Sequence, residues 1–246
     1  MQKTIRPETT SMSLRVMAMV FMLCDHLWAT IVPGNDWLTC IGRLTFPIFA
    51  FLLVEGYFHT RSFKKHMQRM LIFAVLSEIP FNLVCSSSPF YPIHQNVLWT
   101  FLISLLMIHM NERAKESGEL WRRIVTVPLS VALGGLLGLV TFCDYNHAGV
   151  FMVLTFYFFR GRNWWNYLLQ LLAMYYINME ILAGFSYQIQ LFGDTVFFPR
   201  QALALLALIP IWLYRGKQGP HNKALQYMYY AFYPAHLLIL GLLKAL

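Results

Sequence analysis

Residues 14–33 read LRVMAMVFMLCDHLWATIVP. As a helix this run is about 30 Å long, which is the thickness of a bilayer's hydrocarbon core. It is apolar except for Arg15 near its start and the adjacent Asp25 and His26 past its middle. The fold turns on this stretch: it reads as a membrane-spanning helix with ionisable groups where lipid would reject them. A secretory signal is the competing reading, because Lys3 and Arg6 precede the run. Asp25 and His26 interrupt it, and no small-residue cleavage site follows closely, so the helix is expected to be retained.

Outward from this run, eight more stretches have the same character: 37–58, 68–86, 96–111, 122–142, 145–159, 164–184, 196–214 and 225–243. The chain is 58% apolar and 12% charged, where a soluble domain has roughly 45–50% and 25%. Too little charge is present to coat a water-facing surface, and the deficit runs the whole length. The expectation is one domain over residues 1–246, an all-α polytopic bundle of nine transmembrane spans with no soluble domain.

The distribution of charge gives an orientation. A net charge of +8 in a soluble protein would suggest a nucleic-acid partner. Here the basic residues fall in short loops between apolar runs, so the expected partner is the lipid bilayer. With nine spans, 15 of the 19 Lys and Arg residues fall on one side. They are Lys3, Arg6, Arg61, Lys64, Lys65, Arg69, Arg113, Lys115, Arg122, Arg123, Arg160, Arg162, Arg215, Lys217 and Lys223. The positive-inside rule then puts the N-terminus in the cytoplasm and the C-terminus outside. Trp28, Trp37 and Trp99 map to the outer boundary, and Trp121, Trp164, Trp165 and Trp212 to the inner one, as aromatic belts do.

Cys24, Cys40, Cys85 and Cys143 show no CxxC pair and no zinc-like Cys/His spacing, so no metal is expected. They read as small buried apolar residues, with a Cys85–Cys143 bridge at the outer face as the alternative.

The informative residues are the ionisable ones in or near apolar spans: Asp25, His26, Arg43, Glu55, Glu78, Glu180 and His236. Each costs about 2.5–3.5 kcal/mol at a helix centre on insertion scales, so several together imply a shared polar interior. The first span runs outward and the second inward, which puts Asp25, His26 and Arg43 at one level. Glu78 and Asn82 share a face in the outer half of the third span. His236, with Tyr229 and Tyr233 on its face, is mid-depth in the last. His94, Asp144 and His147 belong to outer loops above. Structural alternatives stay open: Asp25–Arg43 as a plain ion pair, His236 as a satisfied core histidine, Glu55 as a helix-end anchor, Tyr229 and Tyr233 as packing. Asp25 and His26 point about 100° apart on a helix, so Asp25 cannot orient His26 as a triad acid would.

The run LCDHLWATIVPGNDWLTCIGRLTFPIFAFLLVEGYFHT (23–60), then SEIPFNL (77–83), NVLWT (96–100) and AFYPAHLLIL (231–240), resembles the TraX family, across nearly the whole chain. That family takes its name from the conjugation enzyme that acetylates the N-terminus of F-type pilin. The resemblance implies a multi-pass acyltransferase of the bacterial cytoplasmic membrane that uses acetyl-CoA. A more distant likeness to acyltransferase-3 proteins implies roles for a basic residue and a histidine in the first helix, here Arg15 and His26. On this reading His26 is the base or an acyl carrier, and Arg43 serves an oxyanion or a carboxylate. Asp25, Glu78 and His236 are orienters or proton relays. Arg61, Lys64, Lys65 and Arg69, with Arg15, hold the donor's phosphates. The acceptor is a membrane or secreted peptide, an envelope glycan or a lipid head group. A proton-coupled transporter and a non-catalytic assembly factor for membrane peptides are the competing classes.

Overall fold

The computed structural model describes residues 8–191, 193–220 and 222–245. Lys3 and Arg6, used above for orientation, lie outside the described residues. The chain is mostly helical: α1 (Ser11–Thr30), α2 (Asp36–Gly42), α3 (Thr45–His59), α4 (Phe63–Ser86), α5 (Val97–Glu116), α6 (Leu120–Val140), α7 (Asn146–Phe158), α8 (Trp164–Tyr176), α9 (Leu208–Trp212) and α10 (Lys223–Lys244). Helical segments fall in each of the nine expected ranges. Among the described residues, four stretches are long and apolar enough to cross a membrane: Ser11–Thr30, Asp36–His59, Phe63–Ser86 and Leu120–Val140.

Local sequence sets the helix starts. Thr10 and Ser13 form a capping box before α1, and the side chain of Asn96 accepts from the Leu98 N–H (3.0 Å) at the start of α5. Such caps satisfy backbone N–H groups that the helix cannot.

Three expectations need correction. The second apolar stretch is not one helix but two, α2 and α3, interrupted at Arg43 and Leu44. Pro47 gives the reason: in an unbroken helix its ring would clash with the carbonyl of Arg43, four residues back, and it has no N–H to bond there. The fold is also not purely helical. Residues 186–199 form an antiparallel hairpin, β1 (Ser186–Leu191) and β2 (Asp194–Pro199), in register from Ser186 opposite Pro199 to Leu191 opposite Asp194. SYQIQL alternates polar and apolar residues, DTVFFP carries a run of β-branched and aromatic ones, and Gly193 sits in the turn at φ 95°. Finally, α8 passes into a π-helical turn, Ile177–Ile181, and a 3₁₀ segment, Arg200–Ala207, leads into α9.

Contacts define two ends. At the basic-loop end, the Ser11 N–H donates to the Lys217 carbonyl (2.9 Å). Arg160 pairs with Glu55 (2.7 Å), and the Tyr157 hydroxyl donates to Glu112 (2.8 Å). At the far end, the Gln95 N–H donates to the Phe142 carbonyl and the Asp144 N–H to the Gln95 carbonyl (2.9 Å each), the Trp28 indole donates to Asp36 (3.1 Å), and Lys244 donates to the Val84 carbonyl (2.7 Å). The largest buried apolar cluster joins α1, α3, α5 and α7. A smaller one, including Met22, Phe81, Tyr233 and Leu237, joins α1, α4 and α10.

Candidate functional site

Two polar clusters sit back to back on α1, on the adjacent residues Asp25 and His26. The first is an ion pair with a tail. Arg43 occupies the break between α2 and α3, and its guanidinium donates to Asp25 (2.5 Å), to the Thr39 hydroxyl and carbonyl (3.2 Å each) and to Gln201 (3.4 Å). Gln201, on the 3₁₀ segment, donates in turn to Asn178 (3.0 Å), which donates to the Met174 carbonyl (2.7 Å) from the π-helical turn. Gly42 makes the approach possible, because a Cβ there would lie 2.4 Å from the Cβ of Asp25.

The second cluster is the histidine pair. His26 Nδ1 and His236 Nε2 are 2.7 Å apart, with the rings only 9° from parallel. His236 Nδ1 lies 2.7 Å from the Phe232 carbonyl. A carbonyl only accepts, so that nitrogen carries the proton. With both rings neutral, His236 Nε2 is then an acceptor and His26 Nδ1 the donor. His26 Nε2 is left as a bare lone pair, and among the described residues it has no hydrogen-bond partner.

Beneath this pair lies an apolar cavity of about 190 Å³ between α1, α3, α4, α5 and α10. Met22, Phe49, Phe232 and Tyr233 line its upper part, and Arg15, His66 and Tyr229 its lower part. The Tyr233 ring lies 5.9 Å from that of His236. His66 Nε2, the Arg69 Nε and the Tyr229 hydroxyl are buried there or next to it without a partner, and the Arg15 guanidinium lies 5.5 Å over the Tyr229 ring. Arg15 and His26 are about 16 Å apart along α1 at 1.5 Å per residue.

The expected site residues therefore separate. His26, His236, Asp25 and Arg43 come together in two adjoining clusters. Glu78 stands apart: its Oε1 accepts from the Asn96 N–H (3.2 Å), the Asn96 amide (2.5 Å) and the Trp99 indole (2.6 Å), fastening α4 to the start of α5. Glu55 pairs with Arg160 through both oxygens (2.7 and 3.4 Å). Glu180 lies in the π-helical turn. Of the expected phosphate ligands, Arg15 lines the cavity, while Arg61, Lys64 and Lys65 are exposed. His66, from the same turn, takes their place at the wall. All four cysteines are free, so the Cys85–Cys143 alternative does not hold. Gln201, Asn178 and His66 went unnoticed in the sequence. The signal available for the first two was an amide within or beside an apolar run.

At the far end, His94 and Asp144 pair at 3.5 Å across two loops. Hydrogen bonding with Asp144, then with Cys85, pushes the His94 imidazole up to about 10. Among the described residues no group of three His, Cys, Asp or Glu side chains could hold a metal.

A helical membrane protein with a polar interior, centred on a histidine pair and an arginine–carboxylate pair, is the class that fold and site define. The TraX protein family model matches residues 11–244, and the chain belongs to that family. It is similar to a protein of Dichelobacter nodosus named probable fimbrial assembly protein FimC, serogroup H1, with 27% identity over 94% of each chain. No solved structure matches it.

Proposed function

We propose that the protein is a multi-pass acyltransferase of the cytoplasmic membrane, with its basic loops and N-terminus in the cytoplasm. It moves an acetyl group from acetyl-CoA to an amine or hydroxyl of an acceptor. The observation that carries this reading is the unpartnered His26 Nε2 above a cavity that is apolar in its body and rimmed with uncommitted donors below.

The donor's thioester enters through this cavity from the cytoplasmic side. Arg15, His66 and Arg69 meet its anionic part, and the apolar walls hold the arm. The acceptor N–H or O–H loses its proton to His26 Nε2 as its heteroatom attacks the thioester carbonyl. The new C–N or C–O bond forms, the C–S bond breaks, and the proton passes from His26 to the departing thiolate. General-base assistance of this kind is worth roughly 10²–10⁴-fold. His236 fixes the tautomer of His26. Asp25 and Arg43 hold α1 against the α2–α3 break; most of the Arg43 fork is already taken, which favours the carboxylate-partner role over the oxyanion role. Glu78 acts as a fastener of α5.

The relative's printed name, a fimbrial assembly protein, favours a pilus-type peptide as acceptor. It equally favours a second reading, an assembly factor without catalysis. Mass spectrometry of envelope peptides and glycans from cells with and without the protein separates the two. Acetyltransfer predicts a species lighter by one acetyl group in cells lacking the protein, and restored only by a chain with His26 intact. An assembly defect with no change in acetyl mass, complemented equally by His26→Ala, would reject catalysis.

A further inference from the structure

A second cavity, about 440 Å³, opens at the basic-loop end on a different face of α3. The stripe Phe51, Glu55, His59 faces it, while Leu52, Leu53 and Gly56 face the cavity below the histidines. The volume falls in the range that holds a small-molecule ligand, and the proposed acyl transfer uses none of its residues.

Its walls combine three kinds of group. Tyr167 and Trp212 supply aromatic surface, with ring centroids 5.1 Å apart and planes inclined by 47°. Trp212 is tethered: its indole donates to Gln170 (2.8 Å), and Gln170 donates to the Phe159 carbonyl (2.9 Å). Glu55 is tied down by Arg160, whose guanidinium lies 4.3 Å over the Phe58 ring. Arg162 differs. Its one hydrogen bond among the described residues is to the Tyr214 carbonyl at 3.4 Å. Most of its fork of N–H donors is thus uncommitted at the rim, in the geometry that suits phosphate oxygens.

An aromatic wall anchored at Trp212 beside a guanidinium with free donors suits a planar heterocycle that carries phosphate. We infer that this cavity binds a nucleotide, with its phosphate on Arg162 and its base along Tyr167 and Trp212. The chemistry is that of a free cytosolic nucleotide; the nucleotide end of coenzyme A is the other outcome of the test, and it would move the donor's anionic part away from Arg15, His66 and Arg69. The inference stands on the cavity alone and does not require the acyl-transfer reading.

The test is equilibrium binding of adenosine 3′,5′-bisphosphate and of ADP to the detergent-purified full chain, by thermophoresis, for the parent protein and for Arg162→Gln. Arg113→Gln, exposed and outside the cavity, is the control, and thermal midpoints check that all three proteins are folded. The expected result is saturable binding of at least one probe that Arg162→Gln weakens about tenfold or more, the loss of a charge-assisted contact, while Arg113→Gln leaves it unchanged. Displacement of the bisphosphate by acetyl-CoA but not by acetyl-pantetheine would identify the nucleotide end of the donor. ADP binding unaffected by acetyl-CoA would identify a free nucleotide. Absence of binding at millimolar probe, equal binding by Arg162→Gln, or an Arg162 dependence seen only with phosphatidylglycerol nanodiscs would overturn the inference. Acetyl transfer failing while nucleotide still binds would count against the acyl-transfer reading alone.

Discussion

Asp25 and His26 are neighbours on one helix, yet their surroundings differ in kind. The Asp25 side is tied into a network: Arg43, Thr39, Gln201 and Asn178 form a continuous hydrogen-bonded chain from Asp25 across the α2–α3 break, the 3₁₀ segment and the π-helical turn. The His26 side is left incomplete, with one ring nitrogen engaged, the other bare and an apolar cavity below. A network that links four elements holds them in place, whereas a group held in one tautomer with a free lone pair can take a proton. Ionisable residues inside a membrane are functional by default, and the proposed function divides them into a scaffold half and a chemical half.

The comparison can be broken at several points. The effect on donor binding is expected from filling the cavity. Gly56 lines it, and a Cβ there meets nothing within 4 Å. Gly56→Leu removes a mid-helix glycine, which should stabilise the helix by up to about 0.8 kcal/mol. It should nevertheless weaken acetyl-CoA binding by about tenfold or more, or 1.4 kcal/mol, measured by donor-induced thermal stabilisation. A stabler protein with unchanged donor affinity would move the donor elsewhere.

The scaffold half predicts the opposite profile. Asp25→Asn leaves Arg43 without its counter-charge. The pair is about one-fifth exposed, so the loss should sit near the lower end of the range for buried pairs, about 3 kcal/mol, read as a lower thermal midpoint in detergent. Donor affinity per folded molecule should be unchanged. If Asn at this position folds as well as Asp and abolishes transfer, the division into two halves is wrong.

The smallest effect concerns the far end. The imidazole of His94 is raised from 6.5 to about 10 by Asp144 and Cys85. A raised folded-state value contributes stability that is fully present below the unfolded value and is lost as pH rises through the folded one. The thermal midpoint of the parent protein relative to Asp144→Asn should therefore be greatest near pH 6 and converge towards pH 10. The side chain is 41% exposed, so the effect is modest. A pH-independent gap would remove the charge from this contact.

The helical ranges were legible because apolar runs of bilayer length are a strong signal, and Asp25, His26, Arg43 and His236 stood out because charge inside such a run is expensive. What lay beyond the sequence follows from three-dimensional partnership. Nothing in the order of residues says that His236 meets His26, 210 residues away, or that Glu78 spends one carboxylate oxygen on Asn96 and Trp99. Pro47 marked the break at Arg43, but FP in an apolar run reads equally as a tolerated kink. The hairpin was hidden because its aromatic residues resemble the start of another span. Gln201 and Asn178 escaped because an amide carries no charge to draw attention, although it completes the network around Arg43.

The central claim is that His26 supplies the base above a donor cavity. The most direct measurement is acetyl transfer and acetyl-CoA affinity on the same purified preparations of parent and His26→Ala. The account predicts a folded, monodisperse variant that still binds donor within about twofold and transfers roughly 10²–10⁴-fold more slowly. A folded His26→Ala protein with near-parental turnover would contradict it and shift the search for the base to His236.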